Sequence, residues 1–164
     1  MPEKLSYEYV SEILEYDHST GIFKWKKKIG HRSKVGANAG CISSGYVHIG
    51  INRQLYLAHR LAWLMFYGYW PEYFIDHING EPLDNKISNL RDVPCSQNLQ
   101  NQRRAQQRSK SGLLGASFHA ARKRWRAQIA VNSKTIHIGY FNTAEAAHQA
   151  YLEKKREIHI ACTI

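Results

Sequence analysis

A chain of 164 residues with 43% hydrophobic and 12% aromatic content is long enough for one medium domain or two small ones, and too apolar for a disordered tail. It has no apolar run of membrane-spanning length and no basic-then-apolar order over its first nine residues; its three cysteines, Cys41, Cys95 and Cys162, are odd in number and lack the close paired spacing of a disulfide framework or a thiolate zinc site. A soluble, cytoplasmic protein without a membrane role is expected, and the net charge of +10 points to a polyanionic partner.

Taken in chain order, residues 5–15 place Leu5, Val10, Ile13 and Leu14 roughly on one side of a short helix. From Thr20-Gly21 onward the pattern changes to strands and turns: Ile22, Lys24 and Lys26 alternate with Phe23 and Trp25, then Val47, Ile49 and Ile51 with Tyr46 and His48. Leu57, Leu61, Leu64 and Met65 recur at helical spacing up to a stop at Gly68. After Pro71, strand-like pieces at 74–78 and 88–93 flank a loop rich in Asn, Gly, Pro and Asp. Pro94 suits the first turn of a helix continuing over 96–106 with Leu99 inward, and the polar, basic stretch 107–112 marks a domain boundary. Beyond it Trp125, Ala127, Ile129 and Val131 take one strand face and Arg124, Arg126 and Gln128 the other. Asn132-Ser133-Lys134 turns the chain into a second long strand. Thr143 then caps a helix whose N-terminus Glu145 complements and whose Ala147, Ala150, Tyr151 and Ile158 face the sheet.

The placement of charge narrows the partner. No acid lies between Asp17 and Glu72, where Lys24, Lys26, Lys27, Lys28, Arg32, Lys34, Arg53 and Arg60 fall. None lies between Asp92 and Glu145, where Arg103, Arg104, Arg108, Lys110, Arg122, Lys123, Arg124, Arg126 and Lys134 fall. Solvated faces normally mix signs, so two acid-free basic blocks fit evenly spaced phosphates better than plain surface charge. A membrane surface fits less well, because these residues lie in strands and turns and not along one amphipathic helix. Lys24, Lys26 and Lys28, spaced by two, are expected on one strand face as phosphate contacts, with plain surface charge nearly as good an account.

Between the two blocks, residues 72–92 hold five acids. Phosphodiester hydrolysis needs an activated water, a group to take its proton and a cation for the developing charge. Asp76, His77, Asn89 and Asn98 could supply these, provided the first strand ends at His77 and twists, since strand neighbours otherwise point to opposite faces. Asp76 with the side-chain oxygen of Asn98 would offer two hard ligands to magnesium. Taken singly, each residue has an ordinary explanation as a turn former, a strand-entry residue, a surface amide or a packed imidazole.

The joint pattern changes the odds. His59-Arg60-Leu61-Ala62-Trp63, then Asp76-His77-Ile78-Asn79-Gly80, Asn89-Leu90-Arg91 and a final Asn in a basic helix closely resemble the phage and intron-encoded HNH homing endonucleases, over about residues 56–105. The resemblance implies a ββα-metal unit in which Asp76 and Asn98 ligate one Mg2+ or Mn2+, His77 is the general base and Asn89 orients it. The spacings of twelve residues from His77 to Asn89 and twenty-one to Asn98 fit the variant with Asn in place of the final His. His59 is read as structural. Many such proteins carry paired CxxC zinc ligands; this chain has none, so packing on neighbours must hold the catalytic unit.

Residues from about 112 to 160 are similar to the DNA-binding domain of plant ethylene-response factors, through their Trp-x-Ala-x-Ile, Ile-x-Ile-Gly-x-Phe and Thr-Ala-Glu-Ala-Ala elements. That resemblance implies a three-stranded sheet backed by a helix, whose open face, here Ser117, His119, Arg122, Arg124, Arg126, Gln128 and His137, reads the major groove. Arg103 and Arg104 are added as DNA contacts of the basic helix.

The expected fold is therefore α+β: an N-terminal β-rich region (1–55), an HNH core (56–108) and a C-terminal DNA-binding domain (109–164). The expected function is site-specific, homing-type cleavage of double-stranded DNA by a monomer with no obligate protein partner. The family implies a nick with a 3′-hydroxyl and a 5′-phosphate, and a neutral His77 implies cleavage that weakens as pH falls through about 6 to 7. The competing reading is a non-catalytic DNA-binding regulator on the same scaffold; an RNA-associated protein would need stacking aromatics exposed on a sheet.

Overall fold

A computed structural model of the chain describes residues 5–31, 33–106, 109–131 and 134–159; Arg32, Arg108, Cys162 and the Asn132-Ser133 turn lie outside the described residues. Helix and strand are mixed as an α+β fold requires, in two compact units, Met1–Val93 and Pro94–Ile164.

In the first unit, Ser6 caps α1 (Tyr7–Ile13), its hydroxyl accepting the Tyr9 N–H at 3.2 Å. The helix is shorter than residues 5–15 because Leu14 is extended and opens β1 (Leu14–Asp17), which pairs antiparallel with β2 (Ile22–Trp25). Between them Asp17 Oδ1 accepts the Ser19 and Thr20 N–H groups at 2.9 and 3.3 Å, and Gly21 sits at a φ of +76°. A Cβ on Gly21 would lie 2.6 Å from the Asn85 carbonyl carbon and the Lys86 nitrogen, so only glycine lets this turn press on the backbone at 85–86.

The alternation over 22–28 misleads after Trp25. There the Trp25 N–H bonds to Ala37 O and the Lys26 N–H to Ile13 O, and the strand stops. Lys26 and Lys28 therefore do not share a strand face with Lys24. The Lys26 ammonium donates to Ser11 O at 2.6 Å, and the neighbouring Lys27 pairs with Glu12.

A three-stranded antiparallel sheet, β3 (Cys41–Ser43), β4 (Tyr46–Ile51) and β5 (Gln54–Leu57), leads into α2 (Ala58–Tyr67). Gly68, left-handed at +81°, ends α2 with its N–H on Leu64 O, as its position predicts. Strands β6 (Phe74–His77) and β7 (Leu90–Val93) then form an antiparallel hairpin, and a 3-10 turn, Ile87–Asn89, replaces the start of the second strand expected from 88.

One apolar cluster joins α1, β1, β2, β4, α2, β6 and β7: Val10 and Leu14, Phe23 and Trp25, Ile49 and Ile51, Leu61 and Leu64, and Ile75 and Leu90. The residues before 56 thus share a core with the hairpin that follows, and this packing holds β6 and β7.

In the second unit, α3 (Cys95–Gln100) is capped by Pro94 and ends at Asn101, well short of residue 106. Leu99 is exposed and not inward, and Arg103 and Arg104 lie past the helix and not on it. Residues 94–106 group with the C-terminal part, so the division falls ahead of 107–112; within this unit the fully buried Lys155 donates its ammonium to Gln102 O. Strands β8 (Ala116–His119), β9 (Arg124–Val131) and β10 (Lys134–Phe141) form an antiparallel sheet in the order β10-β9-β8. Helix α4 (Ala144–Ile158), N-capped by Thr143 with its hydroxyl on the Ala146 N–H at 3.1 Å, packs on that sheet through Ala147 against Ala116 and Ala127. These small residues let helix and sheet approach closely.

Candidate active site and nucleic-acid face

Strand β6 ends at His77, the condition the Asp76-His77 pair requires. Both side chains are buried, at 6% exposure each, and they meet different partners. Asp76 stands opposite Arg91 on β7, and its Oδ2 accepts the Arg91 Nε and Nη2 at 2.8 and 2.7 Å. An ionised carboxylate with this little exposure needs such a partner.

His77 sits in a cage of rings and amides. The His59 ring meets it edge-on at 5.1 Å between centroids, and Tyr46 on β4 stands 6.3 Å from His77 and 5.6 Å from His59. His77 Nε2 lies 3.3 Å from the Asn85 Oδ1, and Asn85 is 3% exposed. Burial lowers the His77 pKa, opposed by the Asn85 hydrogen bond and then by the charges of Asp76 and Asp84. Burial takes His59 down further, to about 3, so it is a neutral packing group beside His77. The adjacent Arg60 donates to Tyr73 O at 3.0 Å and Pro71 O at 3.4 Å, while Asp92 accepts the Glu72 and Tyr73 N–H groups at 2.7 and 2.9 Å. Together they fix the chain entering β6.

Asn89 works on the loop that follows His77. Its Oδ1 accepts the Asn79 N–H at 2.9 Å, its Nδ2 donates to Asp84 O at 2.8 Å, and its carbonyl takes the Ile78 N–H at 2.8 Å. One amide therefore ties both ends of residues 78–85, which carry His77 on one side and Asn85 on the other. Asn98 lies on α3, in the second unit.

The donor chemistry here suits a hard divalent cation. Asp76 is a carboxylate paired with Arg91, and no cluster of three or more His, Cys, Asp or Glu side chains arranged for a metal occurs among the described residues.

On the C-terminal sheet the register puts Ser117 opposite Arg126, His119 opposite Arg124 and Gln128 opposite His137, so these six residues share the face away from α4. Arg122 follows β8, and its guanidinium lies 4.8 Å over the Tyr140 ring. Tyr140 pairs with Arg126, and its ring lies 4.6 Å from that of His137 and 5.3 Å from that of His119. Strict alternation would put Tyr140, three residues after His137, on the opposite face. A register shift between His137 and Gly139 brings both to the same side. Arg126 Nε is buried without a hydrogen-bond partner, and its Nη2 reaches Ser117 Oγ only at 3.5 Å.

Residues 56–100 match a family model described as HNH endonuclease. Over 111 residues the chain is 31% identical to Protein 3.8 of Escherichia phage T7, covering 65% of this chain and 90% of that protein. The chain belongs to the family of phage T7 Protein 3.8. No solved structure matches it. The HNH match supports a nuclease with a DNA substrate and covers the Asp76-Arg91 pair and, of the groups around His77, His59 and Asn85 but not Tyr46. Among the described residues no helix of this Protein 3.8 relative is long and apolar enough to cross a membrane.

Sequence reasoning passed over Arg91, Asn85, Tyr46 and Tyr140. Arg91 stood in the quoted Asn-Leu-Arg string and needed only the hairpin register to be placed opposite Asp76. Asn85 carries no periodic signal, the strand alternation that includes Tyr46 says nothing of its contact with His77, and Tyr140 is hidden by the bulge.

Proposed function

We propose that this chain is a divalent-metal-dependent, site-specific DNA endonuclease of homing type that cuts one strand per binding event. The observation that carries the reading is the buried pairing of Asp76 with Arg91 beside a neutral His77 at the end of β6, inside the HNH segment. His77 takes the proton of the attacking water, its neutral form favoured by burial. Asp76 and Asn98 are the proposed oxygen donors to Mg2+ or Mn2+, one ion per site, and Asn89 keeps the loop beside His77 in place. The ion, when bound, supplies charge stabilisation for the phosphate and leaving oxygen.

The open face of the C-terminal sheet is the proposed reader of double-stranded DNA, with Ser117, His119, Arg122, Arg124, Arg126, Gln128, His137 and also Tyr140. Its support is Arg126 at its centre, whose Nε lacks a hydrogen-bond partner and whose Nη2 makes only a long bond to Ser117, a guanidinium suited to a guanine edge or a phosphate. Lys24, Lys28, Arg103 and Arg104 are proposed as phosphate contacts. Lys26, turned to Ser11 O, is the weakest of that set. Arg126→Ala is expected to cost about 1–3 kcal/mol of binding to duplexes recovered by selection from a random pool, and to flatten preference at one or two base pairs. An unchanged selected sequence would refute the readout role.

The test of the whole reading is a selected duplex labelled on each strand in turn, followed at limiting protein with Mg2+ or Mn2+ and with chelator. A nick in one strand, leaving 3′-hydroxyl and 5′-phosphate ends and requiring metal, is expected, because one Asp76-His77 set holds one phosphate in line at a time. Equal, simultaneous cutting of both strands with second-order dependence on protein would contradict the monomeric nick.

A further inference from the structure

We propose that Asn85, clamped by the N-terminal β1–β2 hairpin, is the positioning residue that fixes the tautomer and ring orientation of His77 and leaves Nδ1 as its basic atom. The inference rests on the reading of His77 as the general base. An amide oxygen can only accept, so the 3.3 Å contact from His77 Nε2 to Asn85 Oδ1 requires the proton on Nε2. Nδ1 then carries the lone pair.

The backbone at 85 is gripped from three directions. Tyr16, half-buried on β1, donates its hydroxyl to Asn85 O at 2.7 Å. The Ile87 N–H bonds to His18 O at 3.3 Å, and Gly21 presses on residues 85 and 86 where a Cβ would find no room. A side chain 3% exposed on a backbone so held has little freedom to follow the imidazole; the imidazole follows it. The first strands of the chain, read from sequence as a DNA-contacting region, thereby act on the catalytic histidine through Asn85. The titratable groups facing His77 include the Asp76 and Asp84 carboxylates, the neutral His59 and the Tyr46 ring.

Three full-length variants and one spectrum test this. Asn85→Asp keeps the shape and places a carboxylate at Nε2–H, so the acid limb of the cleavage-rate profile should move up by about one pH unit. Tyr16→Phe deletes only the clamp and should lower kcat about three- to tenfold with DNA affinity unchanged. In the wild-type chain, 15N spectra of the His77 ring should show the Nε2–H tautomer without any DNA present. A folded Asn85→Asp with an unmoved profile, a Tyr16→Phe cutting at the parent rate, or an Nδ1–H tautomer would each overturn the positioning role while a dead His77→Ala leaves the base assignment standing. A His77→Ala that cuts at the parent rate would overturn the base assignment, and this inference with it.

Discussion

Replacing His77 with Ala is expected to lower the single-turnover rate of DNA cleavage by about 10²–10⁴-fold, the usual contribution of a positioned base, and to leave DNA affinity unchanged. On the proposed reading, affinity would come from phosphate and groove contacts elsewhere, whereas the imidazole would act only on the attacking water. The sign of the pH dependence follows from the cage around the ring. Burial disfavours the imidazolium and moves the His77 pKa below its ordinary 6.5, so the neutral base persists into mildly acid solution. The fall in rate should therefore be centred below 6.5, at lower pH than an unburied histidine would place it. Rates and affinities measured side by side across about pH 5 to 8 check both points. A fall centred above 6.5, or a variant that cuts as fast as the parent, would contradict them.

Asp76→Asn is expected to remove metal-dependent cleavage, with a loss of at least about 10²-fold that added Mg2+ does not restore. The amide keeps the side-chain volume but gives up the charge that, on the proposed reading, would bind a hard cation. It also leaves Arg91 with a neutral partner where two charge-assisted bonds now run to one carboxylate oxygen. Breaking a buried ion pair typically costs about 3–5 kcal/mol, so the variant should also melt at a lower temperature, and its rate should be measured where it is folded. Cleavage at the parent rate in ordinary magnesium would refute the ligand role of Asp76.

The sequence and the structure agree where a single local rule decides. Gly68 ends α2 because a left-handed residue was needed and glycine adopts it, and Thr143 caps α4 because its hydroxyl meets an orphan N–H. The alternation of Trp125, Ala127 and Ile129 with Arg124, Arg126 and Gln128 was legible because one face is buried against α4. They part where distant segments decide. The strand pattern over 22–28 stops at Trp25, since the backbone there is claimed by Ala37 and Ile13. Leu99, expected inward on a helix running to 106, is exposed on a helix that ends at Gln100. Around His77 the motif gave residue types, while the partners are set by tertiary contact: Asn85 stands eight residues on, and Tyr46 and His59 arrive from other elements. A one-residue bulge was enough to hide Tyr140 from an argument based on parity.

The most direct measurement of the central claim is the conversion of supercoiled plasmid carrying random-sequence inserts by the full-length chain, in Mg2+ or Mn2+ and in excess chelator. The arrangement of Asp76, Arg91 and His77 predicts open-circular product that accumulates with metal, vanishes with chelator and is absent for Asp76→Asn. Supercoiled DNA that is bound but left intact in every metal would contradict it and leave a DNA-binding protein on a nuclease scaffold.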